Sequence, residues 1–137
     1  MSLKIDIANM QKEIQEKVPF INSGDYIQFA YFFSKKLTSL NIKHKIVFTD
    51  RYCKINEYTA CNHIGILIYN IGVVDGEKTF PTIGHFNRTH YKSFPIDHKK
   101  LNDLRLDKLI WNNMYDTRQN SLLSKIINKH INDYRRK

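Results

Sequence analysis

Five thiol or imidazole side chains, able to move protons or hold a metal, fall between positions 53 and 90: Cys53, Cys61, His63, His85 and His90. Cys61 stands two residues before His63, so on a strand both would project to one face and a thiol could meet an imidazole. That pair lacks the helix N-terminus whose positive end lowers a thiol's pKa. The cysteine spacing misses the C-x2-C half-site of the tight zinc patterns. His85 and His90, with four residues between them, are a partial match alone. Neither a metal nor a cofactor is expected. Asp75-Gly76-Glu77-Lys78 gathers two carboxylates and a lysine, loosely like a metal-dependent nuclease centre. Asp-Gly is a turn dipeptide in its own right, and a turn makes a shared catalytic face awkward.

The elements that would position these groups are set by periodicity. Ile7, Met10, Ile14 and Val18 recur at helical spacing with charges opposite, which predicts an amphipathic helix stopped before Pro19. Asp25 reads as the N-cap of a second helix, with Gln28 completing a capping box. Tyr26, Ala30, Phe33, Leu37 and Leu40 form its apolar stripe, so a largely buried central helix is expected, ending near Asn41. Ile42, His44, Ile46 and Phe48 alternate with Lys43, Lys45, Val47 and Thr49 at strand period. After an irregular stretch at 50–62, a hairpin is expected from residues 63–69 and 73–75 around a turn at 70–72. Residues 80–95 read as loop-rich. Leu109-Ile110-Trp111 fits a strand or a helix end, and Leu123, Ile127, His130 and Tyr134 mark a closing amphipathic helix. With no repeat or linker, the 137 residues form a single α+β domain.

Asp25-Tyr26-Ile27-Gln28-Phe29-Ala30 at a helix start, followed by His63-Ile64-Gly65-Ile66-Leu67-Ile68 on a strand and Asp75 twelve residues past His63, resembles the NlpC/P60 branch of the papain-like cysteine hydrolases. The resemblance covers about residues 20–80. It implies a papain-like core in which N-terminal helices pack on a small antiparallel sheet. It also implies a thiolate nucleophile at the helix start, a histidine base and a polar residue that orients the base. On the matching positions Tyr26 holds the nucleophile's place, His63 the base's and Asp75 the orienter's. The cysteine is missing, and Gln28 stands where the family often has glycine. A phenol with a reference pKa of about 10 is a poor acyl-transfer nucleophile at neutral pH. The resemblance therefore implies a hydrolase fold turned to binding, with an active amide or ester hydrolase using His63 and Asp75 as the alternative.

The net charge of +9 favours acidic partners. Ten Lys or Arg against four Asp place two thirds of the surplus in the basic region 99–137. Arg88, Lys92, Lys99, Lys100, Arg135 and Arg136 are the candidate contacts to an acidic protein surface, a nucleoprotein complex or nucleic acid. Phe86-Asn87-Arg88-Thr89-His90-Tyr91-Lys92 interleaves rings and cations, a pattern that stacks bases or covers a sheet edge. Two cysteines are too few for a disulfide framework. The first residues carry charges where a secretory leader needs an apolar run. No window approaches the ~20 apolar residues of a membrane helix. A cytoplasmic protein without a membrane partner is expected. Its Lys, Ile and Asn richness has the look of a phage or mobile-element accessory factor in a host cytoplasm, blocking or modifying a host complex.

Overall fold

The computed structural model describes residues 2–18, 26–49, 63–82, 91–94, 99 and 117–132. Helix α1 (Leu3–Lys17) starts where the Ser2 hydroxyl accepts the Ile5 N–H at 3.2 Å, a side-chain cap. It buries Ile7, Met10 and Ile14, the residues its periodicity singles out, and Val18 closes it. Helix α2 (Tyr26–Ser39) buries Phe29, Ala30, Phe33 and Leu37 completely. Gln28, the far member of the expected capping box, is buried, and its Oε1 accepts no hydrogen bond among the described residues; Asp25, the near member, lies outside them.

The end of α2 sets the direction of the next strand. Asn41 takes a left-handed φ of 59°, its N–H donates to Thr38 O at 3.0 Å, and the Ile42 N–H donates to Leu37 O at 2.9 Å. This is a Schellman motif, and Ile42 adds the apolar contact to the core that accompanies such ends. Because Ile42 is spent on that bond, strand β1 begins at His44 and not at Ile42 (His44–Thr49). The short reversal folds β1 back along α2. The 14-residue helix is about 21 Å long and the six-residue strand about 20 Å, so α2 begins at the end of the sheet where β1 finishes.

β2 (His63–Ile68) and β3 (Gly72–Val74) form the expected hairpin, joined by residues 69–71 with Asn70 left-handed at φ 68°. Residues 80–95, expected to be loop-rich, instead contribute strand. β4 (Thr79–Phe80) pairs with β3, and β5 (Tyr91–Phe94) pairs with β1 from Ile46 to Thr49. Their strand character comes from the partner strand each meets, not from a period of their own. All pairs are antiparallel, in the order β4-β3-β2-β1-β5. Helix α3 (Thr117–His130) packs on α1 and α2. Tyr134, the Trp111 segment and residues 50–62 lie outside the described residues. One cluster joins the apolar stripes of the three helices to Ile46, Ile64, Ile66, Ile68 and Val74 of the sheet. Val47 and Val73, on the alternate positions, are buried too, so the middle of the sheet is withdrawn from solvent on both faces. No helix among the described residues is long and apolar enough to cross a membrane.

Glu13 ties α1 to α3. Its carboxylate meets Lys17 Nζ at 2.7 Å on its own helix, and His130 Nε2 at 2.7 Å and Lys129 Nζ at 3.0 Å across the interface. Lys17, then His130 and Lys129, hold its pKa down to about 2 from an ordinary 4.5. A depressed carboxylate contributes stability that is complete above 4.5 and fades as pH falls toward about 2. Lys17 and Lys129 reach it from solvent, so screening limits the tie to about 1 kcal/mol. Glu13→Gln is expected to lose that amount at neutral pH and to flatten the acid limb of the stability profile. Urea melts of both proteins from neutral pH to about pH 2 test this; parallel acid limbs would remove the role.

Candidate functional site

Asp75 shapes the corner after β3. It is 2% exposed, and its Oδ1 accepts the N–H of Glu77 at 2.7 Å and of Lys78 at 2.8 Å. Its own N–H donates to Lys78 O at 3.0 Å, closing the turn that feeds β4. This is the side-chain turn that an Asp-Gly dipeptide favours. Helix α1 docks on that turn through two glutamines one helical turn apart. Gln11, also buried, donates from Nε2 to Asp75 O at 2.9 Å and to Thr79 Oγ1 at 3.3 Å, and Gln15 Nε2 donates to Glu77 O at 2.7 Å. A buried amide is costly unless bonded, so the Gln11 contacts fix the distance between α1 and the turn, and the exposed Gln15 bond adds to them.

An open groove of about 500 Å³ runs along this junction. Lys4, Ala8 and Lys12 fall at i, i+4 and i+8 on α1 and form one wall; Glu77, Lys78 and Thr79 form the other. Lys4, Lys12 and Lys78 are exposed, and among the described residues none of them makes an ion pair. Lys78 Nζ lies 5.1 Å from the centre of the Phe80 ring, which holds its stem against β4. Glu16 and Glu77 are the acidic members of the lining. Three cations and two carboxylates thus line one open cleft, both kinds of charge on each wall.

The residues singled out from sequence fall in several places. Tyr26 opens α2, His63 opens β2 opposite Thr49, and Asp75 follows β3. In backbone terms all three stand toward the end of the sheet where α2 begins. The side chains of Tyr26 and His63 lie outside the described ones. Lys92 sits on the edge strand β5 opposite Phe48, and Lys99 is exposed. Arg88, Lys100, Arg135 and Arg136 lie outside the described residues, as do Cys53, Cys61, His85 and His90. Among the described residues no group of three or more His, Cys, Asp or Glu could hold a metal.

Two features were missed from the sequence, where they leave little or no signal in periodicity or motif. One is the set of groove lysines, because Lys78 is 66 positions from Lys12 and only the fold brings them together. The other is a buried pair. The Ser34 hydroxyl and His44 Nε2 are 2.7 Å apart, and His44 Nδ1 is 2.8 Å from Ile42 O. A carbonyl only accepts, so Nδ1 carries the proton and Nε2 accepts from Ser34. A hydroxyl bonded to an oriented imidazole is the arrangement that activates a nucleophile. Ser34 is fully buried in mid-helix, however, so no substrate reaches it. The pair locks α2 to the start of β1. The one hint in the sequence is His44 itself, in phase with the inward Ile46 and needing a partner there.

Compared with family models, curated proteins and solved structures, the chain has no match in any of the three.

Proposed function

We propose that this chain is a non-catalytic binding or inhibitory protein that engages an acidic protein surface, on a degenerate papain-like layout in which Tyr26 occupies the nucleophile position. The observation that carries the reading is the groove between α1 and the β3–β4 turn. Lys4, Lys12 and Lys78 stand around it, outnumbering Glu16 and Glu77 and in no ion pair among the described residues, and such cations cost little in water while steering an acidic partner. The papain-like ancestry draws support from the order of α2, β2 and β3 and from the common end they give to Tyr26, His63 and Asp75. Asp75 is committed to its turn by two N–H bonds, which fits a structural role better than turnover. On this reading the protein acts by occupying a surface of its target, in the manner of a mobile-element accessory factor.

The test is binding of labelled poly-glutamate and of duplex DNA, each read by fluorescence anisotropy over a salt series. Binding of poly-glutamate with turnover absent from a panel of amide and ester substrates supports the proposal. Preference for DNA, with affinity falling steeply as salt rises, would replace it by a nucleic-acid role. Turnover that disappears in His63→Ala would replace it by the hydrolase.

A further inference from the structure

We infer that the groove between α1 and β4 receives an extended acidic peptide whose carboxylates, four residues apart, meet Lys4 and Lys12, while Lys78 closes on the chain from the opposite wall. The inference deepens the proposed binding role and rests on it.

The geometry selects an extended occupant. Lys4 and Lys12 are eight residues apart on one helix, so their Cα atoms are about 12 Å apart along its axis. An extended chain rises about 3.3 Å per residue, so side chains four apart are about 13 Å apart and on one face. An extended chain, about 4.8 by 10 Å in cross-section, is slimmer than a helix of about 10 Å diameter and so asks less of the open groove. Ala8, exposed midway between the lysines, adds almost no bulk and leaves room for the central residue of the guest.

Charge selects a peptide over a nucleic acid. Glu16 and Glu77 share the lining with the three lysines. A polynucleotide carries a phosphate at every residue and would set some of them against those carboxylates. A peptide can place a neutral or basic residue there. Bases also need ring platforms to stack on, and among the described residues no aromatic side chain is in the groove lining. Phe80, next in the chain, already carries the Lys78 ammonium on its face.

The experiment uses the full chain and a labelled peptide with glutamates at i and i+4 in a threonine-rich background, whose β-branched side chains favour the extended strand conformation that puts both carboxylates on one face. A second peptide has the same composition with the glutamates adjacent. Anisotropy is read at low and at physiological salt. Lys12→Glu and Lys78→Glu should each weaken the spaced peptide at least about tenfold, a loss of about 1.4 kcal/mol. Ala8→Trp should weaken it by filling the groove without a charge change. Lys45→Glu changes the net charge equally on an exposed strand position away from the groove, and should leave affinity within about twofold. Thermal melts confirm that each variant is folded.

Equal losses in Lys45→Glu and Lys12→Glu, or equal affinity for the two peptides, would overturn the groove as the site. If poly-glutamate still binds in that case, the acidic-partner reading survives without this groove. If neither peptide nor poly-glutamate binds, both fall.

Discussion

Replacing Phe33 with alanine is expected to lower the unfolding free energy by about 3–5 kcal/mol, the usual range for deleting a buried aromatic ring. Phe33 is fully buried, and its ring stacks on Phe29 with centroids 5.1 Å apart at an interplanar angle of 25°. It belongs to the cluster that joins the three helices to the inner face of the sheet. The cavity left behind would be bounded by rigid neighbours on several elements, so collapse can recover little of the loss. Domains of this size are stable by about 5–15 kcal/mol, so the change removes a large share of the total. Guanidinium melts followed by far-UV circular dichroism give the value. Phe33→Leu, which keeps most of the volume, should lose much less. A loss below about 1 kcal/mol for Phe33→Ala would mean that α2 is not the centre of packing.

That α2 would be central was legible in its residues. Ala30, Phe33, Leu37 and Leu40 recur on one side of a helix, and each is buried. The same holds for Ile7, Met10, Ile14 and Val18 of α1. Where a segment buries its own face against the core, its period carries the information. The hairpin turn at residues 69–71 was legible for another reason, since Asn70 and Gly72 tolerate the positive φ that the reversal requires.

What could not be read are the features made by contacts outside the segment itself. Tyr91-Lys92-Ser93-Phe94 has the rings and cations of a surface loop and becomes a strand because β1 offers it a free edge. β4 is two residues long and pairs only because the Asp75 turn delivers it to β3. Gln11 sits on α1 among polar residues, yet it is buried, because its amide has an acceptor on a turn 64 positions away. Net charge showed that an acidic partner was the chemistry to expect. It pointed to the dense basic stretches at 86–100 and 135–137, whereas the groove cations are scattered along the chain. Local density of charge is visible in a sequence, but convergence of single charges is a property of the fold.

Gly72→Ala is expected to be the most disruptive change to the groove and to cost about 3 kcal/mol in stability. Gly72 has φ +123°, a region where an L side chain is strained by about 1–3 kcal/mol. The added methyl would also collide with the carbonyl oxygen of Phe80 and approach the Phe80 carbonyl carbon at 3.1 Å and Pro81 Cα at 3.3 Å. All three are backbone atoms, so no rotamer change relieves the contact. β4 must then move away from β3, and Thr79, which accepts from Gln11, moves with it. Lys78 and Glu77 lose their position opposite α1, so one wall of the groove is gone. Two readouts separate this from general destabilisation. Hydrogen exchange should rise first at residues 73–80, while the α1 and α2 amides keep their protection under conditions where the variant is folded. Affinity for the spaced-glutamate peptide should fall with them, by more than in a Phe33→Leu variant matched for fraction folded. A Gly72→Ala protein within about 0.5 kcal/mol of wild type, with unchanged exchange at 73–80, would show that β4 can shift at no cost and that Gly72 does not set its place.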